Sequence, residues 1–278
     1  MRIRKFTIII HMIAYLIALI WVLPFLGLFM TSIRDYSEIA LGWWKFEKFN
    51  PTLDAYNAVW NILTGPPSMM VSLLNSFIIS VPSTIIPIFV ASLSAYSFAR
   101  FSFKLRDMLF LTIVVLMSLP AQMVIMPIYF LMAEVGLLDT HLGLILLHSS
   151  FGLPWIILFL RNYFRTLPVE VEEAARIDGA SDFRIYWQIV IPMSIPALAS
   201  IAALQFNWVW NDFLFALIFL QTPEKKVATQ LLPMLRGRYY VRWDYIAAAS
   251  IITMIPPVLI FALLQKYYVK GIVTITKG

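Results

Sequence analysis

Long apolar runs separated by short polar stretches set the pattern of this chain. Several runs reach about twenty residues, which at about 1.5 Å per residue spans roughly 30 Å of hydrocarbon. Lipid cannot satisfy backbone N–H and C=O groups, so each crossing run must be a helix or part of a closed barrel. The runs are continuous rather than alternating, and helices follow. Six spans are expected, at residues 6–30, 71–98, 108–132, 142–160, 192–220 and 245–267. Pro120 and Pro127 interrupt the third, Pro154 the fourth, and Pro256 and Pro257 the sixth. Bent helices lining a cavity would use such prolines, although kinks of ordinary helix packing are the commoner cause.

Composition agrees with this reading. The 278 residues are 61% hydrophobic and 13% charged, whereas a soluble domain carries about a quarter charged residues. The expected class is an all-α integral membrane protein, multi-pass, with residues 1–278 forming a single domain. Arg2, Arg4 and Lys5 precede the first run, as in a signal peptide. That run is longer than a typical signal core and no small-x-small cleavage site follows, so a retained first helix is expected.

The distribution of Lys and Arg orients the chain. With the N-terminus inside, inside segments carry 13 and outside segments 8, which places both termini in the cytoplasm. The 133–141 connection has none, as an outside loop should. The 221–244 loop opposes the rule with Lys225, Lys226, Arg236, Arg238 and Arg242. With Tyr239, Tyr240 and Trp243 it is a candidate surface for an outside protein or for lipid headgroups. Trp43, Trp44 and Trp60 suit a second outside segment lying at the lipid interface. The net charge of +6 is thus accounted for by orientation, and no nucleic-acid partner is expected.

Chemistry on the chain itself is sparse. With no cysteine, disulfides, thiol catalysis and cysteine metal sites are excluded. His11, His141 and His148 have no ligand spacing, so no metal is assigned. No Gly-x-x-x-x-Gly-Lys-Ser/Thr loop is present, so the chain is no ATPase of that type. No convincing nucleophile–base arrangement appears. A non-catalytic chain that binds no cofactor is expected, with an intramembrane enzyme as a distant alternative.

The most charged stretch, residues 161–192, lies between the fourth and fifth runs. Pro168 suits the first turn of a helix, and Glu170, Glu172 and Glu173 sit at its positive end. Gly179 is placed to end that helix in a left-handed conformation. Ser181 can cap a second helix running toward Pro192. Small residues at Ala174, Ala175 and Gly179 would let a partner approach closely. An element held by a membrane helix at each end can turn a push from below into a tilt of the bundle.

Glu173-Ala174-Ala175, three residues, Gly179, nine residues, Ile189, one residue, then Ile191-Pro192 resembles the EAA loop of permease subunits in binding-protein-dependent ABC importers. The family's loop ends in Leu-Pro, so Ile191 is a mild departure. The likeness spans about residues 71–278, with the core permease region at about 71–270. Asn75-Ser76, Ala95-Tyr96, Ala99-Arg100, Trp210-Asn211-Asp212-Phe213 and a tail from Gln265 to Gly271 look like carbohydrate importers of the maltose type, and the chain resembles the shorter, six-span permease of such systems. The final residues, 274–278, depart from the longer tail of those relatives.

The resemblance implies a type I ABC importer permease fold in a prokaryotic cell membrane. It implies a second permease subunit, an ATPase dimer carrying ATP and Mg²⁺, and an extracytoplasmic substrate-binding protein as partners. The loop at about residues 168–192 would be the coupling helix seated in an ATPase cleft. Its docking residues would be Glu173, Ala174, Ala175, Asp178 and Gly179, with Ile189 and Pro192 completing the motif. A sugar importer follows, for maltose- or trehalose-type oligosaccharides, with glycerol phosphate, peptide or polyamine as alternative solutes.

Buried polar groups in a span are costly and often functional. The fifth run offers Gln205, Asn207, Trp208, Asn211 and Asp212. Asn207 and Asn211 share one helix face, as do Trp208 and Asp212. Amides and a carboxylate beside an aromatic ring could hold sugar hydroxyls, but ties between helices are the commoner use. Asn75, Ser76 and Ser80 are weaker candidates of the same kind.

Overall fold

The computed structural model describes residues 2–40, 42–47, 49–61, 67–236 and 241–275, with side chains described within 7–266. Among the described residues it is helical, with two isolated β-bridges, Arg34–Pro51 and Arg236–Val241. The first half contains α1 (Arg2–Ser32), α2 (Tyr36–Ile39), α3 (Asp54–Trp60), α4 (Met69–Ser80), α5 (Pro82–Arg100), α6 (Arg106–Met117), α7 (Ile125–Glu134) and α8 (His141–Phe164). The second half contains α9 (Val169–Ile177), α10 (Asp182–Ile185), α11 (Ile191–Met193), α12 (Ile195–Trp210), α13 (Leu214–Phe219), α14 (Ala228–Met234) and α15 (Trp243–Ile275).

Among the described residues, four segments are long and apolar enough to cross a membrane: Thr7–Ser32, Met69–Arg100, His141–Phe164 and Trp243–Lys266. Two further pairs qualify only if each bent pair counts as one span, giving four to six crossings. The expected third span is one of these pairs. Helix α6 meets the Ala121–Glu134 segment at 93°, where Pro120 lacks an N–H and forces Leu119 away from helical geometry. The fifth is also broken. Helix α12 begins at Ile195, after a 74° bend from Asp182–Met193, and stops at Trp210, so residues 192–220 are not one helix. The stop has a local cause: the Asp212 carboxylate accepts the Phe215 and Ala216 amides at 3.3 and 3.1 Å and starts α13 afresh.

Helices α4 and α5, by contrast, join into one apolar segment. Pro82 stands at the first turn of α5, where its missing N–H costs nothing, so the chain runs on from Met69 to Arg100. Lipid tails are as apolar as leucine, so helix association rests on close contact and polar ties rather than on exclusion of water. Accordingly Ala91 and Ala95, one turn apart on α5, are fully buried against a cluster that includes Ile156 and Leu160 of α8. The Tyr186–Val190 segment and α12 complete this inner core through Tyr186, Val190, Ala197 and Ile201. A second core joins Ile79, Leu144, Phe215 and Phe219 nearer the other end of the bundle. The transmembrane window of α1 buries none of its residues, and this helix lies beside α15 at the periphery.

Candidate functional site

The charged loop folds as its local signals require. Val169 begins α9 directly after Pro168. At its end Gly179 has φ +85°, and the Gly179 and Ala180 amides reach back to the Arg176 and Ala175 carbonyls at 3.0 and 2.9 Å. Ser181 caps α10 by accepting the Arg184 amide. The chain then runs through a wide turn at Tyr186–Val190 into α11 and α12.

Two faces of α9 differ in kind. Glu173, Ala174, Asp178 and Gly179 are exposed, and Ile177 beside them is 87% exposed, an apolar group left in the open at the tip. A Cβ built on Gly179 would meet nothing within 4 Å, so the tip is sterically open. Ala175 and Ile189 are turned inward instead and rest against the inner core, while Pro192 is exposed beyond it. The exposed part of the motif is therefore a small cap around Ile177 and Gly179, with Ala175 and Ile189 holding it to the bundle.

Sequence reasoning passed over the residue that anchors this loop. Glu172 is 1% exposed and pairs with Arg100 at the end of α5, Nε to Oε1 2.8 Å. Arg100 also donates to the Leu167 carbonyl at 3.2 Å, and the Tyr96 hydroxyl donates to Glu172 at 3.3 Å. Arg176 extends the network from the surface to Asp182 at 3.0 Å. The signal was present in outline: Glu172 shares a helix face with the inward Ala175, and Ala99-Arg100 closes the second run.

The polar residues of α12 divide by direction. Asn207 and Asn211 line a cleft of about 610 Å³ between α12, α14 and α15, with Thr229, Ser250, Thr253 and Phe261 on its walls. The Asn211 amide donates to the Asn207 side-chain oxygen at 2.9 Å, which sets the two as a pair. Trp208 and Asp212 face α8, where His148 lies edge-on to the Trp208 ring at 5.3 Å and 3.6 Å from the Asp212 carboxylate. Gln205 is fully buried, accepting from Trp155 and donating to the Ser83 carbonyl. Asn75 is also tied into the fold, donating to the Glu224 and Lys226 carbonyls at 2.8 and 3.0 Å. Beside it Ser76 accepts the Ala228 amide at 2.9 Å.

The non-cytoplasmic loop expected at 221–244 is likewise held at its base. Asp139, at φ +55°, accepts the Gln221 and Thr222 amides, the Thr222 hydroxyl and Lys225 Nζ. Burial opposes ionisation of Asp139, but these hydrogen bonds outweigh it and hold the carboxyl well below the usual carboxylate range. Tyr239 and Tyr240 lie outside the described residues. Among the described residues no group of His, Asp and Glu is arranged to hold a metal ion.

A bundle of long apolar helices carrying an exposed, ion-paired helix is the architecture of an integral membrane protein. The chain belongs to the family of binding-protein-dependent transport system inner membrane components, which it matches over residues 84–274. It is 51% identical over 273 residues to a probable ABC transporter permease protein of Pyrococcus horikoshii, covering 98% of each chain. It is 40% identical to an osmoprotective compounds uptake permease protein of Synechocystis, over 95% of this chain and 89% of that one. An alpha-glucoside transport system permease protein of Rhizobium meliloti is 43% identical over 72% of this chain and 54% of its own. The fold matches a bacterial ABC transporter involved in alginate import, with a TM-score of 0.76 and 24% identity over 95% of this chain and 97% of that one. The chain is accordingly a non-catalytic permease component and not an intramembrane enzyme.

Proposed function

We infer that this chain is one of two permease subunits of an ATP-driven sugar importer in a prokaryotic plasma membrane, with six crossings and both termini cytoplasmic. The observation that carries this reading is the cap around Ile177 and Gly179, an apolar and sterically open tip on a helix ion-paired to the bundle. Such a tip suits insertion into a cleft of a separate ATPase subunit, which would hold the ATP and Mg²⁺; this chain binds no cofactor. Closure of the ATPase dimer would then tilt the bundle between inward- and outward-open states. A substrate-binding protein would deliver solute at the face carrying the 221–244 loop.

The solute class we assign is a neutral oligosaccharide or glucoside. The Asn207–Asn211 pair offers amide donors and acceptors to sugar hydroxyls, in a cleft with no carboxylate or ammonium among its described lining residues. The names of several relatives, among them alpha-glucoside and melibiose/raffinose/stachyose permeases, support the same class. The reconstituted importer should take up labelled α-glucosides only with ATP, and excess unlabelled maltose or trehalose should compete. Competition by peptide or polyamine but by no sugar would reject the solute class.

A further inference from the structure

The continuous α4–α5 run is clamped by polar contacts at both of its ends. At one end Arg100 and Tyr96 hold Glu172 of α9, and Arg100 holds the Leu167 carbonyl at the entry to the same helix. Partway along, the Ser92 hydroxyl meets the Tyr186 hydroxyl at 2.6 Å, so a second tie to the loop also falls on α5. At the other end Asn75 and Ser76 hold Glu224, Lys226 and Ala228 through backbone groups. The 32 residues between Met69 and Arg100 form one helical span, long enough to reach on the order of 45 Å at about 1.5 Å per residue.

These contacts resist separation strongly. Both charges of the Arg100–Glu172 pair are nearly out of solvent, with side chains 8% and 2% exposed, where Coulomb attraction is weakly screened. Asn75 satisfies two carbonyls of a turn that Asp139 and His141 also hold, while Ser76 takes the Ala228 amide just beyond it. None of these residues is among the described lining of the cleft at Asn207 and Asn211.

We propose that α4–α5 is a push-rod linking the two faces of the importer: displacement of α9 by the ATPase is delivered through Arg100–Glu172 to the 224–228 segment, where the substrate-binding protein is received. By reciprocity of linkage, engagement of the binding protein at 224–228 biases the position of α9. Arg100, Glu172, Asn75 and Ser76 are positioning residues in this scheme. The proposal rests on the reading of α9 as the ATPase-docking element.

The test uses the complete importer in liposomes, its partners made cysteine-free, with one spin label at Glu224→Cys. This chain has no cysteine of its own, so the label is unique on it. Adding a non-hydrolysable ATP analogue should change the label's spectrum without any transported solute. Glu172→Gln and Asn75→Leu should each reduce that change by about fivefold or more, and the double variant should lose no more than the worse single. Tyr96→Phe, which keeps the ring and removes one hydrogen bond to Glu172, should give a partial loss. A full spectral change in Glu172→Gln or Asn75→Leu overturns the proposal, as does a double loss equal to the product of the singles. The readout needs no sugar, and co-purification of the ATPase with the wild-type chain separately decides the docking reading.

Discussion

Gly152 of α8 lies so close to Gln205 of α12 that a Cβ added to the glycine would fall 2.6 Å from the amide nitrogen. The missing side chain is what admits the amide, which then links three helices by accepting from Trp155 at 3.0 Å and donating to the Ser83 carbonyl at 3.1 Å. Gln205 is fully buried, where an amide that loses its partners costs the most. Gly152→Ala should therefore cost about 1–3 kcal/mol through overpacking and a displaced amide. Thermal unfolding of the detergent-purified chain measures this, and an unchanged midpoint would show that the amide can move aside.

The Asp139 knot makes the base of the 221–226 turn acid-sensitive. Its carboxyl is held below its unfolded value of 3.8, so the stabilisation is fully present above that pH. It is lost as pH falls from there toward the lower folded value. Amide exchange at Gln221 and Thr222 should stay slow down to that region and accelerate below it. Asp139→Asn should exchange fast at every pH, and identical protection in both forms would contradict the assignment.

The Asn207–Asn211 pair should affect solute handling without touching assembly. Asn207→Leu and Asn211→Leu are expected to raise the uptake KM by about tenfold each, the loss of roughly one hydrogen bond to a polar solute. Co-purification with the ATPase should be unchanged. Wild-type KM in both variants would move the solute contact elsewhere.

Local signals in the sequence carried α9 well. Pro168, Gly179 and Ser181 act on neighbours within a turn, so their effects are legible without knowing the rest of the fold. Glu172 was not legible in this way. Glu170, Glu172 and Glu173 read alike along the chain, and only Arg100, 72 residues earlier, makes one of them an anchor. The same limit applies to Asp212: helical periodicity places it beside Trp208, but its carboxylate is taken by the amides that start α13. Hydropathy sums over residues without regard to chain direction, so it hides the break between α12 and α13 inside the fifth run, whereas Pro120 marks the break in the third. Asn75 reads along the chain as a weak pathway candidate with packing as its commoner use, and its two carbonyl partners near residue 225 cannot be named from sequence because a distant turn contributes them.

Gly179 combines two separable demands, a left-handed backbone and an open surface. Gly179→Ala adds a methyl that meets nothing, so its cost is backbone strain alone, about 1–2 kcal/mol. The variant should still bind the ATPase and transport, with a modest fall in thermal stability. Loss of ATPase binding in Gly179→Ala would mean that the tip tolerates no added volume at all.

The most direct test of the account is Gly179→Trp in the reconstituted importer, measured as ATP-dependent sugar uptake alongside co-purification of both permeases and the ATPase. A bulky ring at the open tip of α9 should abolish uptake and weaken ATPase retention while the two permeases remain together. Uptake and ATP hydrolysis at wild-type rates in that variant would contradict the claim that this helix couples the chain to its ATPase.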